Sequence, residues 1–141
     1  MIVQGQCTIF KKNLLSGLEN FATGTTQVYK IALYTADANL NADTLAYTTS
    51  NEIVGTGYTA GGKILTPIAP ASSGSTAYIS FDNISWTSAS FLCRGALIYN
   101  GTTNAAVAVL DFGSDKSTSS AGVFTVTFPT ATATSAVIRI S

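Results

Sequence analysis

The chain contains no histidine, and only 10% of its 141 residues carry charge, where an ordinary soluble domain has roughly 25%. Without imidazole, the usual base for activating a serine, threonine or cysteine nucleophile is missing. Without many ions, the surface falls to Thr, Ser, Asn, Ala and Gly. Such a surface can be covered by another subunit without desolvating charge. Seven basic and seven acidic residues cancel to a formal net charge of zero, and only Lys11 and Lys12 sit side by side. That argues against nucleic acid or an acidic membrane as partner, because both are bound through clustered positive charge. Cysteine is scarce too: Cys7 and Cys93 stand in no metal or redox spacing and read as two reduced thiols. No basic start is followed by a long apolar run, so neither a signal peptide nor a membrane span is expected, and synthesis in cytoplasm without export by that route follows.

What is present suffices for a packed core. The chain is 46% hydrophobic, and its length fits one domain over residues 1–141. Phe10, Leu14, Leu15, Leu18, Phe21 and Ala22 recur at helical spacing, opposite Lys11, Lys12, Asn13, Ser16, Glu19 and Asn20. This predicts an amphipathic helix over Phe10 to Ala22, with Gly24 as its stop. Strands are expected over Val28 to Thr35, Lys63 to Ala69, Ala77 to Asp82, Ala89 to Tyr99, Ala105 to Phe112, Val123 to Phe128 and Ala136 to Ile140. Residues 42–53 read as loop with one possible helical turn capped by Asp43. Asn100-Gly101-Thr102-Thr103-Asn104 is a short hairpin loop, and Ser117 to Gly122 reads as a polar loop. The fold class is α+β: a mostly antiparallel sandwich or barrel-like sheet with one N-terminal amphipathic helix.

Gly57-Tyr58-Thr59-Ala60-Gly61-Gly62-Lys63 matches seven positions of a phosphate-binding loop, but Ile64 stands where a magnesium-ligating hydroxyl is needed and no helix start follows. A glycine turn between strands is preferred. Asp82, Asp111 and Asp115 at strand ends are candidates for a carboxylate pair or calcium, weighed against the ordinary role of Asp in starting turns, which is favoured. No catalytic residue, cofactor or metal is expected. Trp86, Tyr34 and Tyr99 read as core, whereas Tyr47 and Tyr58, in polar glycine-flanked loops, read as a contact surface.

The segments Tyr29 to Thr35, Gly55 to Gly62, Arg94 to Asn100 and Ala106 to Gly113 together resemble a group of small virion proteins of tailed bacteriophages. The likeness covers most of the chain, but it brings no active site to transfer. It implies a non-enzymatic virion component made in the host cytoplasm, foremost a capsid decoration protein, with the neck, tail or fibre attachment as alternative positions. Its expected partners are copies of itself and other capsid or tail proteins. A host-glycan-binding module is the further alternative. The loops Gly55 to Lys63 and Ser114 to Gly122 are the expected contact patch, with Tyr47, Gly57, Tyr58, Lys63, Asp115 and Lys116 as candidate interface residues.

Overall fold

A computed structural model describes residues 1–141. The elements in chain order are β1 (Gly5–Gln6), α1 (Thr8–Leu15), β2 (Tyr29–Tyr34), β3 (Lys63–Ile64), β4 (Ala71–Ser73), β5 (Thr76–Ile79), β6 (Ile84–Asn100), β7 (Ala106–Val126) and β8 (Ile138–Ile140). Five strands form an antiparallel sheet in the order β1-β7-β6-β2-β3, and three form a smaller one, β4-β5-β8. The expected α+β, mostly antiparallel class is what the chain adopts. No helix is long and apolar enough to cross a membrane.

The central strands are apolar without alternation because both faces of the main sheet are covered. Five of the six residues of β2 are buried, the pattern of a strand packed on two sides. Partners in an antiparallel pair point to the same face. The pair Tyr29 and Asn100 therefore marks one face, and the neighbouring pair Lys30 and Tyr99 the other. Against the first face pack α1, Phe21 and the small sheet. Phe21 stacks on Tyr29 at 4.3 Å and meets Phe10 and Phe81 edge-on. Against the second face lies the irregular stretch 41–62, whose Tyr47 stacks on Tyr99 at 4.7 Å.

The helix is shorter than its periodicity predicts. It ends at Leu15, where Ser16 caps it and Gly17 turns left-handed at φ 72°. The Leu18 N–H then reaches the Asn13 carbonyl, and the Gly17 N–H reaches that of Leu14. This double closure terminates helices and favours glycine at its left-handed position. Gly17, not Gly24, is the stop. Leu15, in the last turn, is 90% exposed and Leu18, beyond it, 55%, so the expected core stripe holds only at Phe10 and, half-buried, at Leu14. Phe21 reaches the core from irregular chain beyond the helix. The possible helical turn in 42–53 does not form. The Asp43 N–H donates to Asn41 Oδ1, and Ala46 bridges to Ala105 instead.

The strands differ from expectation mainly in β6 and β7, which run for 17 and 21 residues. Ser114 to Gly122 is no loop but the middle of β7, with Lys116, Ser117 and Thr118 opposite Cys93, Leu92 and Phe91. The ladder is interrupted where Ser119, Ser120 and Ala121 oppose Ser90 alone; Ser120 and Ala121 both stand at φ 56°. On β6, Thr87 and Ser88 face Val123 alone, with Ser88 at φ 48°. Bulges on both strands bend a ribbon, and this one doubles back. The Phe112 and Phe124 rings lie 6.2 Å apart, whereas a straight strand would separate these residues by about 40 Å. The stretch Lys63 to Ala69 is a strand only over Lys63–Ile64, and part of the serine-rich punctuation instead forms β4, turned into β5 at Gly74 and Ser75.

Candidate interaction surface

Glu52 organises the covering on the second face. The Ile53 N–H donates to the Leu33 carbonyl and the Thr35 N–H to that of Asn51, so residues 51–53 run along the end of β2 and place Glu52 over Tyr34. The carboxylate is buried. Its Oε2 accepts the Tyr47 hydroxyl at 2.6 Å, and its Oε1 accepts the Tyr58 hydroxyl at 2.6 Å and the Gly61 N–H at 2.7 Å. Tyr58 in turn accepts the Leu33 N–H, while Tyr99 donates to the Gly61 carbonyl. Burial, followed by the hydrogen bond to Glu52, pushes the phenols of Tyr47 and Tyr58 well above their ordinary value. These are donors fixed in the neutral form. Tyr47 and Tyr58, read from the sequence as a contact surface, thus spend their hydroxyls inward on a carboxylate.

From this anchor the glycine segment crosses to the bent ribbon. A Cβ on Gly62 would fall 1.7 Å from the Ile31 carbonyl oxygen, so only glycine lets the backbone lie flat on β2 here. Gly57 rests on Ala89, where a Cβ would stand 2.8 Å from its Cα. The ring of Tyr58 meets Trp86 and Phe91 at 6.2 and 6.0 Å. Lys63 hydrogen-bonds the Ser85 carbonyl and places its ammonium 5.8 Å from the centre of the Trp86 ring. This lysine is committed to the ribbon, and the segment is the glycine turn that the sequence favours over a phosphate cradle.

On the far side, the bend of β7 encloses a cleft of about 510 Å³, with Asp115, Lys116 and Ser117 on one wall, Thr125 and Thr127 on the other, and Phe112 and Phe124 between them. The fold therefore gathers Gly57, Tyr58 and Lys63 on the β6 side of the ribbon and Asp115 and Lys116 on the β7 side. Tyr47 lies over Tyr99 and joins Tyr58 through the shared Glu52 carboxylate. Between Phe112 and Val126, β7 has β6 as its only backbone hydrogen-bonding partner, so its outer edge is free.

No group of three or more His, Cys, Asp or Glu side chains that could hold a metal forms. Asp111 Oδ1 accepts the Gly113 N–H at 2.9 Å and pairs with Arg94 Nε at 3.3 Å, which together hold its carboxyl below the ordinary range. That is the turn-forming role favoured from the sequence. Cys7 and Cys93 are both buried and free. The exposed apolar side chains Val54, Ile64, Leu92 and Val123 escaped the sequence reading, because nothing in their local pattern separates them from strand residues that face inward.

No family model, curated protein or solved structure matches the chain.

Proposed function

We propose that the chain is a non-enzymatic structural component of a tailed bacteriophage virion, foremost a capsid decoration protein, assembled through uncharged backbone and side-chain contacts. The observation that carries the reading is the free outer edge of β7, exposed and built largely of Ser, Thr, Gly and Ala. An unpaired strand edge is a template for another chain, and between Phe112 and Val126 only Asp115 and Lys116 carry charge. Only 10% of the residues are charged, so contacts with neighbours are expected to draw mainly on hydrogen bonds and on exposed apolar side chains such as Val123 and Leu92. A repeated patch of this kind multiplies weak contacts when copies bind side by side. The glycan-binding alternative has no such support, since Tyr47 and Tyr58 are turned towards Glu52.

Sedimentation of the purified chain and its binding to particles lacking it, at low salt and at roughly 1 M, test the proposal. Screening at the higher salt reaches down to ~3 Å, yet association is expected to persist. A monomer that never joins particles, or attachment that disappears as salt rises, refutes the reading. Labelling the chain on intact particles separates capsid from neck and tail.

A further inference from the structure

Asn100 ends β6 where the hairpin loop begins, and it is the one asparagine of the chain that glycine follows. Asparagine is a thermolabile residue, and this dipeptide is its most reactive setting. The nitrogen of the following residue attacks the side-chain carbonyl carbon, and glycine has no side chain to obstruct it. The fold nevertheless uses both residues. A Cβ on Gly101 would stand 2.9 Å from Lys30 Cδ and 3.2 Å from the Val28 carbonyl oxygen, so a larger residue is crowded there. The Asn100 amide is engaged at both ends. Its Oδ1 accepts the Thr102 N–H at 2.9 Å and the Thr103 N–H at 3.4 Å, which shapes the loop. Its Nδ2 donates to Glu19 Oε2 at 3.1 Å and to Gln27 Oε1.

These contacts hold the reaction off. Asn100 is wholly buried, and the Gly101 N–H, which must lose its proton before the nitrogen attacks, donates to the Val28 carbonyl. When attack does occur, a bond forms between Gly101 N and Asn100 Cγ, the Cγ–Nδ2 bond breaks, and ammonia leaves. Water then opens the cyclic imide to aspartate or to isoaspartate, whose main chain runs through the side chain. Neither product fits. Aspartate sets a second carboxylate against Glu19, which is itself buried, accepts the Tyr29 hydroxyl at 2.7 Å and has no lysine or arginine partner. Its Oε1 already lacks a donor. Two carboxylates in one buried place cannot both ionise without a large cost. Isoaspartate lengthens the main chain by one atom and turns the Asn100 carbonyl, which accepts the Asn104 N–H, into a free carboxylate.

We infer that Asn100 is a deamidation site which the fold keeps closed, and which, once modified in an opened chain, prevents the hairpin from closing again. The site is separate from the β7 edge and does not rest on the assembly reading. Full-length protein, native or unfolded in guanidinium, is aged in mildly alkaline buffer while peptide mass spectrometry follows the exchange of the amide NH2 for OH at residue 100. Deamidation is expected in the unfolded sample and about tenfold or more slowly in the native one, because only opened chains react. When denaturant is removed, unmodified chains should refold, and chains carrying aspartate or isoaspartate should stay in the unfolded fraction. Asn100→Asp should lower the denaturant midpoint, and adding Glu19→Gln should recover part of that loss by removing the second carboxylate. Equal ageing rates in the two samples, modified chains that refold as completely as unmodified ones, or an Asn100→Asp loss that Glu19→Gln does not relieve overturns the inference. The ageing comparison uses the unaltered protein, so it decides even if the variants fail to fold.

Discussion

Two glutamates take opposite sides of one sheet, and each ties irregular chain to it through tyrosine. Glu52 is the fuller junction, and truncating it strands two phenols and an amide in a buried place. Glu52→Ala should therefore destabilise by about 3–5 kcal/mol, and Tyr47→Phe or Tyr58→Phe by about 1–3 kcal/mol each, in denaturant unfolding. Ionisation adds a second test. Burial pushes the Cys7 thiol up to about 11 and the Cys93 thiol up to about 12. Burial first, then the charge of Glu52, pushes Tyr99 up to about 12. In each case the folded protein holds its proton more tightly than the unfolded chain. The resulting stability is complete below the ordinary thiol value of 9.0 and is lost as pH rises through the folded values. Thermal scans should show a melting temperature insensitive to these groups up to about pH 9 and falling towards pH 12, and in a Tyr78→Phe background the phenolate absorbance of Tyr29, Tyr34, Tyr47, Tyr58 and Tyr99 should appear together with unfolding. A phenolate signal from that variant in the native state well below that window would show these five tyrosines to be open to water.

At the scale of elements, the helix is where periodicity misleads. Leu14, Leu15 and Leu18 share a stripe in the sequence, but Leu15, in the last turn, faces solvent and Gly17 ends the helix before Leu18. Phe10→Ala should cost about 3–5 kcal/mol and Leu14→Ala less, while Leu18→Ala falls within about 0.5 kcal/mol of the parent protein. Gly17→Ala should cost about 1–2 kcal/mol by forcing Cβ into the left-handed turn. A large loss at Leu18 would mean that the stripe is covered after all. The strand Tyr29–Tyr34, the Ala89 to Tyr99 part of β6 and the hairpin at Asn100 to Asn104 were legible because β-branched and aromatic runs sit between turn formers. The middle of β7 was not. Ser, Thr and Gly there satisfy the composition of a loop, yet one apolar partner strand is enough to hold such residues in a ladder. The bulges that bend it depend on Ser88, Ser120 and Ala121 adopting conformations that their side chains do not advertise. The Glu52 junction was hidden for a related reason: Tyr47 and Tyr58 are flanked by polar residues in sequence, and only the fold turns them inward.

At the scale of the whole molecule, one bent hairpin links most of the structure. Its first half lies at the centre of the main sheet, and its second carries Trp86 against Tyr58 and Lys63. The free edge of β7 has a consequence for the rate at which its amides trade hydrogen for deuterium. Along a strand, successive N–H groups point to opposite sides. In the stretches of β7 paired with β6, Lys116 to Thr118 and Phe124 to Val126, every second amide therefore bonds β6 and the next faces water. Exchange should alternate between slow and fast, residue by residue, in the isolated protein. If a neighbour adds to that edge in the particle, the fast set slows and the alternation fades. The rhythm of exchange along one strand then records whether the chain is free or built in.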